Sequence, residues 1–292
     1  EGIHHFWTFN AARAIREHAA AAETGVVVGA GLLGIDLAAI CGAQGVEADY
    51  LMRGNRWWRY ALSLDGAEII HEALREKGVT PVFESGVERF EVDDAGHVTG
   101  AVDSNGEFHE ADFGAVAIGL DYNTEFLQGT PVELDDGIVV DEHMHTGVEG
   151  VYAAGDLTRY YDVILDEYAQ NGSWDSAREQ GVVAGENMVA DEPVKQFRYV
   201  SSYSITHFDF PFLSFGHPTI GDDEAERTYS DTEWRRLAFK DGKLIGGVLI
   251  GDLSQQQAFK QIIREERPVA DQKDALLEPE VDLDALAAPT VE

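Results

Sequence analysis

The chain has 292 residues, with 54 acidic against 21 basic side chains and a formal net charge of −33. So acidic a surface repels nucleic acid and anionic membrane and excludes both as partners; it suits a salty cytoplasm, where screening removes most of the self-repulsion, although an acidic mesophilic protein is the alternative. A single cysteine excludes a secreted disulfide scaffold, and there is neither a signal peptide nor an apolar run of 18 residues to cross a membrane.

Residues 2–18 open with a short strand and continue into a helix over 11–22. A buried strand follows at 25–28, and Gly29-Ala-Gly-Leu-Leu-Gly34 leads into an apolar helix over 35–43. Strand, glycine turn and helix in this order are the setting in which G-x-G-x-x-G binds a dinucleotide. Gly29 makes the tight turn, Gly31 lets the backbone approach a pyrophosphate, and Gly34 lets helix and strand pack closely. The phosphates then sit on the helix N-terminus, beside Leu32 and Leu33. Asp36 falls in the first helical turn, where an acid suits the helix dipole with or without a ligand. The next strand, 48–52, ends at Met52, where an acid would hold the adenosine ribose of NAD; Arg53 and Arg56 follow. An acid repels a 2′-phosphate and an arginine fork holds one, so the chain leans toward NADP, with solvated loop arginines as the alternative.

A helix over 64–77 and a strand at 79–83 extend the same unit. Alternating runs at 87–92, 98–102 and 107–109, separated by Asp94-Ala-Gly96 and Ser104-Asn-Gly106, predict hairpins. Residues 111–119 predict a buried strand ending in Gly119 at the cofactor edge. In Thr146-Gly-Val-Glu-Gly-Val-Tyr-Ala-Ala-Gly-Asp156 an apolar strand is expected to close on Ala-Gly-Asp. There Asp156 can accept from sugar-like hydroxyls and Gly155 lets a phosphate come near, although Gly-Asp after a strand is also an ordinary turn. Ser176 with Glu179 predicts a capping box for the following helix.

Pro193 marks a domain boundary. Beyond it 199–215 and 234–250 alternate like strands, with Lys240-Asp-Gly-Lys243 as a hairpin turn and a helix at 255–264. His207-Phe-Asp-Phe210 reads as a half-buried strand rather than a metal site. His4-His5 and His143-x-His145 lack a converging third ligand, so no metal is expected. Cys41, within the helix after the glycines, reads as a small buried hydrophobe. Past Pro268 the acidic, Ala-rich stretch predicts a mobile tail.

Together the glycine loop and the Thr146–Asp156 motif resemble the FAD-dependent pyridine nucleotide oxidoreductases, the fold family of glutathione reductase, in the branch of NADH oxidases, rubredoxin reductases and the flavin part of nitrite reductases. The resemblance runs to about Pro268. It implies an α/β fold: 1–22 a connector, 23–122 a Rossmann-like NAD(P)-binding domain inserted in a partial FAD-binding domain at 123–193, 194–267 a small α+β interface domain that commonly mediates dimer contacts, and 268–292 the tail. It implies that Gly29–Gly34 hold NAD(P)H and that Asp156 bonds the ribityl chain of FAD, with Thr146, Gly150, Ala154 and Gly155 completing that motif. Trp174, Ala177, Gln180 and Gly181 resemble the helix that starts near the flavin, whose dipole suits a reduced, anionic ring.

Three departures stand out: Met52 in place of the acid, Asp121-Tyr-Asn123 where the family has a proline before asparagine, and no redox-active cysteine pair. The family also begins with another glycine-rich βαβ unit of 30 or more residues, which is not found ahead of the connector. The chain is therefore read as a fragment or truncated form. Hydride would pass from NAD(P)H to FAD and on to an acceptor such as oxygen, rubredoxin, nitrite or a quinone. The cofactors do the chemistry, so no catalytic side chain is named. The alternatives are a flavin-free NAD(P)-binding module and an inactive truncated homologue.

Overall fold

The computed structural model describes residues 1–282 and Leu286. Its contacts divide the chain into two units, one of Glu1–Leu120, Ile205–Pro211 and Thr228–Thr232, the other of Asp121–Ser204, Phe212–Arg227 and Glu233–Glu292.

The first unit opens with β1 (Ile3–His5) and α1 (Phe9–Ala19), where the Thr8 hydroxyl caps the helix by accepting the Ala11 N–H. Then come β2 (Thr24–Val28), α2 (Leu32–Gln44), β3 (Glu47–Leu51), α3 (Leu64–Glu76) and β4 (Val79–Val82). An antiparallel meander, β5 (Val87–Val92), β6 (Val98–Asp103) and β7 (Phe108–Glu110), precedes β8 (Phe113–Val116). The main sheet is wholly parallel, in the order β1-β8-β2-β3-β4. From β2 the chain steps outward to β3 and β4, then returns through the meander to β8 on the other side of β2. Strand order therefore reverses between β2 and β8, and that switch point is where an open α/β sheet leaves a crevice at its carboxyl end.

β2 is apolar and buried from Gly25 to Val28 because it is covered on both faces, as parallel strands are. Val26 and Val28 pack with Leu51, Ala101, Ala111 and Val116 in a core shared between sheet and meander. The meander is also clamped by polar contacts. His109 on β7 sets Nδ1 2.6 Å from the Asp49 carboxylate on β3, with Nε2 3.5 Å from Asp103, and the Ser85 hydroxyl donates to Asp103 at 2.6 Å. This hydroxyl bond, with further backbone donors, holds the Asp103 carboxyl below the usual carboxylate range. Cys41 is buried on α2 and burial pushes its thiol up to about 12, which leaves it unreactive.

The second unit holds a three-stranded sheet of β9 (Ile138–Val140), β10 (Thr158–Asp162) and β11 (Glu167–Ala169), followed by α4 (Trp174–Met188). After it come β12 (Ser202–Ile205), β13 (Phe212–Gly216), β14 (Asp223–Ser230), β15 (Glu233–Lys240), β16 (Lys243–Ile250), α5 (Gln256–Arg264) and α6 (Lys273–Leu276). These strands form one sheet ordered β12-β13-β16-β15-β14. The β15–β16 hairpin turns at Asp241 and Gly242, both at positive φ (50° and 78°), as a two-residue turn requires.

Four expectations are corrected here. Residues 151–154 form no ladder strand: Tyr152 makes a single bridge to His145, because only that turn lies alongside among the described residues. α4 begins three residues before the expected capping box, with Ser173 at its N-cap, so Ser176 is buried inside the helix, its hydroxyl accepting from Gln180 Nε2 at 3.5 Å. Residues 207–210 are bends rather than strand: the Phe208 and Phe210 rings stack at 5.5 Å, and the alternate polar side chains turn back, His207 to Asp36 at 3.2 Å and Asp209 to Lys77 at 3.6 Å. Lastly, the stretch beyond Pro268 is packed over 269–277. Val269, Leu276 and Leu277 join the core of this unit, and buried Arg235 donates to the Leu276 and Glu278 carbonyls at 2.9 and 2.8 Å. A buried guanidinium needs such acceptors, and the chain end supplies them. Residues 283–285 and 287–292 of the expected tail lie outside the described residues.

Candidate functional site

In the first unit a cleft of about 540 Å³ opens at the switch point. It is lined by the ends of β2, β3 and β8, from Val28 to Gly31, at Leu51, Arg53 and Gly54 and from Ala117 to Gly119, and by the loop carrying Arg56, Trp58, Arg59 and Tyr60.

The three glycines of the loop meet three different demands. Gly29 has φ 119° and a Cβ there would run into the Ala117 carbonyl; at Gly34 one would run into the Gly29 carbonyl. Gly31 is at φ −98°, with open space where its Cβ would be, so this is the side from which a ligand's phosphates could reach the backbone. α2 starts at Leu32, with Gly31 as its N-cap, so the positive end of the helix dipole lies at the loop. The carbonyls of the loop are engaged. Gly29 O accepts from the Tyr50 hydroxyl at 2.7 Å, Ala30 O from the Trp58 N–H at 3.3 Å, and Gly31 O from the Ile35 N–H at 3.2 Å and Trp57 Nε1 at 3.3 Å. With these acceptors engaged, the loop that lines the cleft leads straight into the N-terminal end of the α2 dipole, which is the electrostatics an anion needs.

The rim carries the arginines. Arg53 is exposed, its stem lying against Gly86, and no described residue gives it an acidic partner. Arg56 behaves otherwise than expected. Its Nε donates to Leu62 O at 2.7 Å, Nη1 to Asn55 Oδ1 at 2.9 Å and Nη2 to Arg59 O at 3.0 Å, so it braces its own loop rather than projecting as half of a fork. Arg59, which sequence reading passed over, stands beside the cleft with its guanidinium 4.8 Å from the Tyr60 ring centre. Trp58 is held at φ 43°, a conformation that costs a bulky residue about 1 kcal/mol or more and that its N–H to Ala30 O helps to maintain. Asp36 is corrected too: because α2 starts at Leu32, it lies beyond the first turn and faces His207. Gly119, at φ 132°, closes the rim after β8.

Gly155, Asp156 and Trp174 belong to the second unit. Gly155 turns at φ 102°, and Gln180 from α4 fastens the turn, its Oε1 accepting the Gly155 N–H at 2.7 Å and the Thr158 hydroxyl at 2.8 Å. Asp156 is half-buried and receives no hydrogen bond from the described residues. Burial first, and then the Asp156 charge, push the Tyr122 phenol above its ordinary value. At the start of α4 the Ser173 hydroxyl is buried without a partner, and Trp174 is 81% exposed. A free carboxylate for hydroxyl donors, an orphan hydroxyl at a helix N-terminus and an uncovered indole fit the sugar and ring of a flavin nucleotide. Among the described residues no group of three or more His, Cys, Asp or Glu side chains could hold a metal ion. Nor is any helix there long and apolar enough to cross a membrane.

Comparison with known proteins gives the same picture. A pyridine nucleotide-disulphide oxidoreductase family model matches residues 1–181, and a rubredoxin NAD+ reductase C-terminal domain model matches 204–267. The chain is similar to pyridine nucleotide-disulfide oxidoreductase domain-containing protein 1 of Pongo abelii, 29% identical over 62% of this chain and 39% of that protein. It is similar also to rhodocoxin reductase of Rhodococcus erythropolis, 31% identical over 54% of this chain and 37% of that one. It thus spans about two-fifths of the length of these curated relatives. Among solved structures, the covalent putidaredoxin reductase-putidaredoxin complex aligns with a TM-score of 0.87 at 22% identity, over 97% of this chain and 67% of the other, a likeness of fold. The parallel sheet with its glycine turn and a family model that spans more than half of the chain lead to one conclusion: this chain belongs to the pyridine nucleotide-disulphide oxidoreductase family.

Proposed function

We propose that this chain is the pyridine-nucleotide-binding part, with a flavin-side turn and a C-terminal domain, of an NAD(P)H-dependent FAD oxidoreductase. The observation that carries it is the glycine loop, whose carbonyls are tied back by Tyr50, Trp57 and Trp58 while Gly31 stays open to the cleft. In this reading the amides beyond Gly31 hold the pyrophosphate, with Gly29 and Gly34 providing the close packing and Gly119 the far rim. Arg53 and Arg59 hold a 2′-phosphate, which favours NADPH, while Trp58 and Tyr60 wall the adenine. Asp156 accepts from the ribityl hydroxyls of FAD, Gln180 keeps the Gly155 turn in place, and Trp174 covers the flavin edge. When bound, FAD supplies a hydride acceptor between the nicotinamide and the final acceptor.

Residues 23–122 would form the NAD(P) domain, 123–193 the flavin-side part and 194–267 a domain suited to homodimer contacts. Relatives named as reductases of small redox proteins make such a protein a reasonable acceptor, and the charge of −33 suits a salty cytoplasm. The test is the visible spectrum of the purified chain in high salt after incubation with FAD and desalting, with NADP+ binding measured alongside. Retained flavin that NADPH bleaches supports the whole reading. A colourless chain that binds NADP+ restricts it to the dinucleotide part, and a chain that binds neither sinks it.

A further inference from the structure

We propose that His71 is a positioning residue of the dinucleotide cleft: through its bare Nε2 it accepts the Trp57 N–H and so holds in place the tryptophan pair that ties back the carbonyls of the glycine loop. The inference rests on the reading of the cleft as a dinucleotide site.

His71 lies on α3 and is 2% exposed. Its Nε2 is 3.1 Å from the Trp57 nitrogen and its Nδ1 3.0 Å from Glu68 Oε2. A backbone N–H can only donate, so Nε2 is the acceptor and the ring proton sits on Nδ1, donated to the Glu68 carboxylate. One tautomer of the neutral ring satisfies both neighbours; the imidazolium satisfies only Glu68. Burial holds the imidazole below the ordinary histidine range, against an opposing pull from Glu68. The charged groups acting on it, Glu68, Glu72 and Arg75, all come from α3, and the Phe83 ring packs at 4.7 Å.

From His71 the connection runs directly to the ligand side. Through its indole N–H Trp57 shares the Gly31 carbonyl with the Ile35 N–H, and the Trp58 amide holds the carbonyl of Ala30. A proton on Nε2 sets two N–H groups against each other and loosens the pair, which frees the Ala30 carbonyl to turn toward the phosphates and carries Trp58, Arg59 and Tyr60 off the cleft, while Gly31 O keeps its bond from the Ile35 N–H. The sign follows from the lowered value: binding is at full strength above the ordinary histidine range and weakens as pH falls through the lowered one.

The experiment measures NAD+ and NADP+ binding to the full chain in high salt from pH 5.0 to 8.0, with thermal unfolding followed in parallel, for the wild type, His71→Gln and His71→Leu. NAD+ is included because the 2′-phosphate of NADP+ itself titrates near about pH 6. The wild type should bind both nucleotides on the order of tenfold more weakly at pH 5.0 than at pH 7.5. His71→Gln keeps an acceptor for the Trp57 N–H and cannot titrate, so it should bind near wild-type strength at pH 7.5 and lose nothing in acid. His71→Leu should bind weakly at every pH, and if it does not fold the glutamine variant decides. Acid weakening that persists in His71→Gln, or a flat wild-type profile with NAD+, overturns the proposal. Failure of either nucleotide to bind the wild type at pH 7.5 overturns the reading of the cleft itself.

Discussion

The cleft beside Gly31 and the turn at Asp156 are both glycine turns, and they differ in what their polar atoms do. In the cleft the acceptors are already engaged: the Gly29 and Ala30 carbonyls accept from Tyr50 and Trp58, and that of Gly31 from Trp57 and Ile35. At the turn the backbone is fastened by Gln180, while the Asp156 carboxylate and Ser173 hydroxyl have no partners among the described residues. One site is preorganised for an anion; the other offers an acceptor for hydroxyl donors. Preorganised dipoles bind because no reorganisation is required when the ligand arrives, so the first should tolerate change least.

The largest effect expected from breaking this contrast is at Gly34. Gly34→Val drives a side chain into the Gly29 carbonyl and should cost about 3 kcal/mol or more, seen as a large fall in the unfolding midpoint. Gly31→Val should do the opposite: unchanged thermal stability, because the space is open, with dinucleotide affinity down about tenfold to a hundredfold by calorimetry. Equal stability losses in the two variants would show that Gly31 is structural.

Next in size, Arg53→Glu and Arg59→Glu should each weaken NADP+ by about tenfold and leave NAD+ nearly unchanged, whereas Arg56→Ala should weaken both by disordering the loop. An unchanged NADP+ to NAD+ ratio in both glutamate variants would remove the case for a 2′-phosphate. The smallest effect on the dinucleotide should come from Gln180→Leu, which strands the Gly155 N–H and Thr158 hydroxyl at about 1–3 kcal/mol. It should lower flavin retention after desalting and leave NADP+ binding alone; reduced NADP+ binding would show that the two sites are not independent.

Much of the first site was legible because its signals are local. A run of valines, three glycines at fixed spacing and an apolar helix follow one another within about twenty residues, and each glycine's demand is set by its neighbours. Arg59 was not legible, because its place on the rim depends on a loop bent by the left-handed Trp58 and braced by Arg56. His71 gave no signal either; a histidine on a helix reads as ordinary until Trp57 is brought to it from outside the helix. The end of the chain was misread because acidity and alanine suggest a tail, whereas Val269, Leu276 and Leu277 fill a core and Arg235 donates to the Leu276 and Glu278 carbonyls.

The sequence by itself thus determined the order of strands and helices in the dinucleotide unit, the glycine turn and the family, since periodicity and turn chemistry act between residues close in the chain. Only the tertiary structure decided which arginine faces the cleft, which carbonyls are tied back and what charge state His71 needs. Those depend on contacts between segments distant in sequence, whose geometry is set by packing rather than by local preference.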